Sequence, residues 1–222
     1  MKFLCSFSFL ACLLAAQPAL CQERTESAPS DPFLLQRYFS GSTGVASFGS
    51  NTVTFAAEYG EKVTKNSQAY ANFSYFNNVM TDEVRANLAA AAAGITAITG
   101  ESRSFSGRDR GMAFTAGGKY QPGRRVRPFI GAGAGAFNVE RTITDSSLGD
   151  VSLGFAEQPW FWGGAVPAGS TSATKPLAEA VAGVGFVTRN MYIEVGYRYR
   201  HLFHTATDIN LSQVAVGIGA KW

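Results

Sequence analysis

SQVAVGIGAKW, residues 212–222, alternates between apolar side chains and small or polar ones. The apolar positions are Val214, Val216, Ile218, Ala220 and Trp222, and the positions between them are Gln213, Ala215, Gly217, Gly219 and Lys221. A period of two is typical of a β-strand, because successive side chains point to opposite faces of the sheet. The stretch therefore predicts a strand with one continuous apolar face.

The same period of two recurs along most of the chain. Further strand-like segments lie at 40–48, 52–59, 68–75, 112–120, 127–141, 178–186 and 191–200. In 127–141, RPFIGAGAGAFNVER, the Gly–Ala alternation leaves the facing open, and 40–48 has the weakest pattern. Counting it gives eight strands, and single-chain bacterial barrels have even strand numbers.

Formal charges occur in mid-strand on the parity opposite the apolar one. They are three acids and three bases: Glu58, Lys119, Glu179, Glu194, Arg198 and Arg200. The same parity is rich in glycine, and a narrow closed barrel packs balanced charges as a network inside its lumen. Aromatic residues on the apolar parity stand near strand ends, as membrane-interface girdles do, at Tyr59, Tyr120, Phe186, Tyr199 and Trp222.

This pattern predicts an all-β fold, an eight-stranded antiparallel transmembrane β-barrel with its apolar faces toward lipid. The mature chain has no apolar run long enough for a membrane-spanning helix, so a membrane location would require a closed barrel. The alternative is a lipocalin-like barrel with the apolar parity inside. It predicts more Lys and Glu on the polar parity than the Gly, Ser and Thr that are present.

Short and long connections alternate along the chain, as periplasmic turns and outer loops of such barrels do. The short turns are 62–67, 121–126 and 189–190, and the outer loops are 78–110, 142–176 and 202–210. The first outer connection, Gly49 to Asn51, is an exception, because it is a tight turn.

The first long loop, 78–110, has the pattern of a helix between Asp82 and Thr99. Thr81 supplies a cap, Asp82 and Glu83 supply acids for the first turn, and Gly100 follows the end. An apolar stripe runs through Val84, Leu88, Ala91, Ile95 and Ile98. We expect the helix to lie across the barrel mouth or on the outer leaflet; a helix covering a soluble sheet is the alternative.

The N-terminus has the pattern of a secretory signal peptide at 1–21. Lys2 precedes an apolar stretch from Phe3 to Ala16, and small residues stand near Cys21. Lipidation of Cys21 is the alternative to plain cleavage, although Leu20 is large for that motif. All cysteines lie in this segment, so a mature chain would have neither disulfides nor thiol chemistry. Residues 22–39 are predicted to be a periplasmic lead-in, and 40–222 the barrel domain.

The last strand resembles the assembly signal of Gram-negative outer-membrane proteins, which end on an aromatic residue as this chain ends on Trp222. With the signal peptide and the strands GYRYRHLF and AVAGVGF, residues 40–222 resemble small outer-membrane barrels of the OmpA/OmpX-like class, without a peptidoglycan-binding domain. The resemblance implies a monomer in the cell outer membrane that contacts outer-membrane lipid. It also implies that the barrel-assembly machinery is a partner through the last strand.

Few residues in the sequence are candidates for chemistry. His201 and His204 are three apart, so on a strand they face opposite sides and do not converge on a metal. GAGAGA at 131–136 lacks the following helix that a phosphate loop needs. We therefore predict no catalytic, cofactor-binding or metal residues, no cofactor and no enzyme activity. The near balance of basic and acidic residues also predicts that nucleic acid is not a partner.

Two clusters could bind something. The turn Arg124-Arg125-Val126-Arg127 could bind lipid phosphate or simply remain solvated. The aromatic cluster Trp160–Trp162 could dip into the outer leaflet, contact a ligand or pack against the helix.

The sequence favours a non-catalytic outer-membrane barrel with a structural or surface-interaction role through its extracellular loops. The alternatives are a narrow solute channel, a lipid-modifying outer-membrane enzyme and a soluble periplasmic ligand-binding barrel. The ligand is not specified by the sequence.

Overall fold

The computed structural model describes residues 35–48, 50–156, 166, 170–203 and 209–222. The strands are β1 (Arg37–Phe48), β2 (Ser50–Lys62), β3 (Ser67–Phe76), β4 (Phe105–Tyr120), β5 (Val126–Asp145), β6 (Gly149–Asp150), β7 (Ser172–Val187), β8 (Met191–Leu202) and β9 (Ile209–Lys221). The helices are α1 (Asp82–Thr99) and α2 (Ser152–Ala156). The predicted signal peptide, most of the lead-in and the Trp160–Trp162 cluster lie outside the described residues.

Eight strands close into one antiparallel barrel. Strands β1 to β5 and β7 to β9 each pair with the next, β5 pairs with β7, and β9 pairs with β1 to complete the circle. Val45 of β1 lies opposite both Val53 of β2 and Val214 of β9. The predicted fold and strand number are therefore confirmed, and 40–48 belongs to a strand that begins at Arg37.

The apolar parity faces outward, as predicted. Phe55, Val216 and Ile218 are each more than half exposed on the outer wall, whereas each of the six mid-strand charges is at most 5% exposed. The lipocalin-like alternative is therefore wrong. In the ambiguous part of β5, the alanines at 132, 134 and 136 face outward and the glycines between them face the lumen.

Glycine on the inner parity makes room for tyrosine. A Cβ atom at Gly133 would stand 2.6 Å from Tyr70 Oη and 2.7 Å from the backbone oxygen of Ala116. A Cβ atom at Gly185 would stand 2.8 Å from Tyr192 Oη. These glycines let large side chains lie across a narrow lumen.

Strands β4 and β5 extend further outward than the sequence predicts. β4 begins at Phe105 rather than after Arg110, and β5 ends at Asp145 rather than at Arg141. The boundaries differ because the apolar parity that identifies the strands stops near Met112. Beyond that point the outer face is polar, and Asp109 pairs with Arg141 on the inner face.

Helix α1 forms where the capping residues predict it. The Val84 N–H donates to Thr81 Oγ1, and Gly100 ends the helix in the left-handed conformation with φ 74°. Of the predicted apolar stripe, Val84 and Leu88 are buried, whereas Ile98 is 86% exposed. Within the described part of the chain, neither helix is long and apolar enough to cross a membrane.

The first half of α1 packs on the inner face of the extended β4–β5 hairpin. Val84 and Leu88 join Met80, Ile143 and Phe155 in one apolar cluster. Ile143 is on the inward parity of β5, so this contact holds the start of the helix on the lumen side of the hairpin. By contrast, β1 and β2 stay paired up to Phe48 and Ser50, so their connection is as tight as predicted.

Candidate functional site

The centre of the lumen is filled by an ion-pair network. Glu58 accepts from Lys119 Nζ and from Arg198 Nη2. Arg198 Nη1 also donates to Glu179 Oε1 at 3.1 Å. Arg200 Nε lies 2.6 Å from Glu179 Oε2. One continuous chain of alternating charges therefore joins β2, β4, β7 and β8 across the barrel.

Neutral hydrogen-bonding groups complete the network. Tyr70 Oη donates to Glu179 at 2.8 Å, and Tyr38 Oη donates to Glu58 at 2.5 Å. The Arg200 guanidinium donates to Gln213 Oε1 at 2.7 Å and to Ser74 Oγ at 3.0 Å. Buried charges need such partners because isolated ones are very unfavourable in a medium of low dielectric constant.

Apolar side chains close the lumen on both sides of this network. Toward the long loops, Phe76 and Phe137 pack with their rings tilted by 54° and their centroids 5.7 Å apart, and they belong to a cluster that includes Leu177, Leu202 and Leu211. Toward the short turns, the layer consists of Leu35, Tyr38, Val187 and Tyr192. Side chains thus fill the described lumen at three levels, as expected for eight strands.

The outer end of the β4–β5 hairpin is held by charged contacts. Arg141 donates twice to the Asp109 carboxylate, at 2.9 and 2.7 Å. The Asp145 carboxylate accepts from the Ser147 N–H at 2.6 Å, from the Leu148 N–H at 2.9 Å and from Arg103 at 3.3 Å. These contacts, first of all the one from Ser147, lower the pKa of Asp145.

We call the α1 helix, the β5–β6 turn and α2 together the cap. Three large apolar side chains of the cap face solvent: Ile98, Leu148 and Leu153 are 86, 70 and 78% exposed. Beside α2 lies an open polar depression of about 380 Å³, whose lining includes Glu140, Asp150 and Ser152. The Ser152 hydroxyl and N–H both donate to Asp150, which lowers the pKa of that carboxyl group.

The histidines and the Gly–Ala segment that the sequence analysis considered for catalysis, metal binding or phosphate binding do not form such a site among the described residues. His201 Nδ1 lies 2.9 Å from Asn210 Oδ1, and its ring packs edge-on against Phe203 at 4.7 Å. His204 lies outside the described residues. GAGAGA forms lumen wall in β5. No cluster of three or more His, Cys, Asp or Glu within the described ranges is arranged to hold a metal.

The Arg-rich turn is split between two environments. Arg124 and Arg125 are exposed, whereas Arg127 turns inward and its Nε donates to the Arg124 carbonyl oxygen at 3.1 Å. Sequence reasoning also missed the Asp109–Arg141 pair and the inward tyrosine Tyr38. Their spacing continues the inner parity, which was the available signal.

Comparisons with known proteins agree with this architecture. A family model described as outer membrane protein beta-barrel domain matches residues 7–221. The crystal structure of the neisserial surface protein NspA has a TM-score of 0.52 and 14% identity, covering 84% of this chain and 96% of that one.

A major outer membrane protein of Thermus thermophilus also has a TM-score of 0.52, with 8% identity and coverage of 84 and 99% of the two chains. No curated protein sequence matches the chain. The apolar outer wall and the family match place the protein in the outer membrane. The chain belongs to the outer membrane protein beta-barrel domain family.

Proposed function

We propose that this protein is a non-catalytic outer-membrane barrel that contacts molecules or surfaces outside the cell through its cap. The observation that supports it most is the combination of an anchored cap with exposed Ile98, Leu148 and Leu153. Val84 and Leu88 pack the helix against the hairpin. The exposed apolar side chains of the cap therefore project from an ordered part of the structure. Exposed apolar surface outside the lipid-facing wall is a feature of interaction sites.

The filled lumen argues against the channel alternative. The Glu58–Lys119–Arg198–Glu179 network and the apolar layers above and below it occupy the space that a solute would need. The described surroundings of His201 argue against the lipid-modifying enzyme, because the contacts of its ring among the described residues are with an amide and a phenyl ring rather than with a nucleophile.

Adhesion of bacteria to an apolar surface tests the proposal. Cells producing the barrel are compared with cells lacking it, on polystyrene and on clean glass. We expect the barrel to increase attachment to polystyrene, and Ile98→Asp/Leu148→Asp/Leu153→Asp to abolish the increase. Val63→Asp is the matched control, because Val63 is 67% exposed on a short turn at the opposite end.

Planar-bilayer recordings on the purified protein address the channel alternative directly. We expect no stable conductance steps. An attachment level unchanged by the cap triple variant would overturn the surface role, and reproducible conductance steps would favour the channel.

A further inference from the structure

The two ends of the barrel differ in charge. Around the short-turn end, the described residues outside the lumen include seven cationic side chains: Arg37, Lys62, Lys65, Arg124, Arg125, Arg189 and Lys221. Glu61 is the acidic side chain among them, and it pairs with Arg37 at 2.7 Å. We call this set the basic rim.

The opposite end is nearly balanced. Its described cations are Arg85, Arg103, Arg108, Arg110, Arg141 and Lys175, and its acids are Asp82, Glu83, Glu101, Asp109, Glu140, Asp145 and Asp150. The asymmetry is therefore specific to the short-turn end and does not reflect the small positive net charge of the chain.

The basic rim lies next to the lipid-facing aromatic girdle. Trp222 is 60% exposed on the outer wall, and its ring centroid is 6.5 Å from that of Tyr59. The Arg37 and Trp222 backbones exchange two hydrogen bonds of 3.1 Å, and the Lys62 N–H donates to the neighbouring Gln36 carbonyl at 2.8 Å. The start of β1 alone therefore separates the β2–β3 turn from the Trp222 end of β9, so the turn lies at the depth where interfacial aromatics meet headgroups.

Two lysines of this turn are available for a ligand. Lys62 and Lys65 form no ion pair within the described part of the chain, and they flank the exposed Val63. The turn is ordered by hydrogen bonds from the Val63 and Thr64 N–H groups to the Ser67 carbonyl at 2.9 and 3.1 Å. Cations held at headgroup depth attract anionic lipids over a distance set by the Debye length.

We infer that the basic rim binds anionic phospholipid headgroups of the periplasmic leaflet and enriches them around the barrel. The phosphate of a headgroup without a compensating cation, as in phosphatidylglycerol, provides the complementary charge. The aromatic girdle fixes the depth of the barrel in the bilayer, and Lys62 and Lys65 select the lipid headgroup by charge. This inference is independent of the cap and of its proposed role.

Quenching of Trp222 fluorescence tests it. In a Trp160→Phe/Trp162→Phe background, Trp222 is the one remaining tryptophan of the chain. The purified protein is reconstituted into phosphatidylcholine vesicles that contain brominated phosphatidylglycerol or, in a parallel series, brominated phosphatidylcholine. We expect the phosphatidylglycerol association constant to exceed that of phosphatidylcholine by at least about twofold, and 0.5 M NaCl to abolish the difference.

Two matched variants locate the effect. Lys62→Gln/Lys65→Gln should bring the ratio to about one, whereas Arg108→Gln/Arg110→Gln, which removes two charges at the other end, should leave it unchanged. A band shift on heating in gel electrophoresis verifies that each variant is folded.

A ratio of one in the parent protein, or equal losses in the two variants, would overturn the inference. So would a ratio that persists at high salt, because that result would indicate a contact other than charge. If neither variant changes the ratio, the preference does not arise from the basic rim and the inference also fails. The salt titration needs only the parent protein, so it can overturn the inference even where a variant does not fold.

Discussion

Arg200 Nε lies 2.6 Å from Glu179 Oε2, with both side chains fully buried in the lumen. The contact is an ion pair and not a well-aligned hydrogen bond, since neither atom has a hydrogen-bond partner within the described residues. Glu179 also contacts Arg198 and Tyr70, which makes it the acceptor shared by two arginines.

Replacing Glu179 should therefore strongly destabilise the barrel. Glu179→Ala leaves two buried guanidinium groups with reduced compensation, and we expect a loss of about 3–5 kcal/mol in the free energy of unfolding. Urea titration of the protein in detergent micelles or vesicles measures it. Glu61→Gln, at an exposed ion pair, should change the stability by less than about 1 kcal/mol. Equal effects at the two sites would contradict the account of the network.

Gly133 offers a test of lumen packing. A methyl group there would meet Tyr70 Oη at 2.6 Å and a backbone oxygen at 2.7 Å, so Gly133→Ala should lower the stability by about 1–3 kcal/mol. Ala134→Val, one residue further on the outward face, should be tolerated because the side chain points to lipid. Unfolding by urea compares the two. If Gly133→Ala leaves the free energy of unfolding unchanged, the lumen can accommodate a methyl group at this level and the packing argument is wrong.

The turn after β5 should be sensitive to acid. Hydrogen bonds from Ser147 and Leu148, and the Arg103 guanidinium, hold the pKa of Asp145 below 3.8. Because the folded-state pKa is lowered, the stabilisation is present above the unfolded value and is lost as the pH falls through the folded one. We expect the amide resonances of Ser147 and Leu148 in micelles to titrate with a midpoint below 3.8, and to stop titrating in that range in Asp145→Asn. A midpoint at or above 3.8 in the parent protein would contradict the pKa direction.

The role of Trp222 in cellular assembly is a prediction. We expect Trp222→Phe to insert into the outer membrane normally and Trp222→Gly to accumulate unfolded in the periplasm, because the resemblance implies that the aromatic residue directly after β9 is recognised by the assembly machinery. Refolding in detergent should be similar for both variants. If Trp222→Gly is impaired in detergent as well, the residue acts through stability instead.

The sequence predicts the parts of the fold that depend on local pattern. Period-two alternation predicts the strands and, except in 127–141, which side chains face outward, and Thr81 and Gly100 mark the ends of α1 correctly. The apolar stripe of α1 does not indicate how far the helix is packed, because helical spacing does not reveal where the supporting hairpin ends: Ile98, at the far end of the stripe, is 86% exposed.

The site is harder to predict than the strands. The alternation identifies the charges as lumen residues, but nothing local indicates that Arg198 reaches Glu58 across 140 positions of sequence. That contact depends on the stagger of eight strands, which only the closed barrel defines. The function of the cap follows even less from pattern, because exposed Leu148 and Leu153 look ordinary in a sequence.

The distribution of the lumen charges constrains how the barrel enters the bilayer. Of the six mid-strand charges, only Glu179 and Arg200 lie directly opposite each other on paired strands, in the β7–β8 hairpin. Glu58 and Lys119 come from strands that are not neighbours, so a hairpin inserting alone would bring an uncompensated ion into hydrocarbon. Insertion of separate hairpins is therefore disfavoured relative to insertion of a sheet in which these ion pairs have already formed.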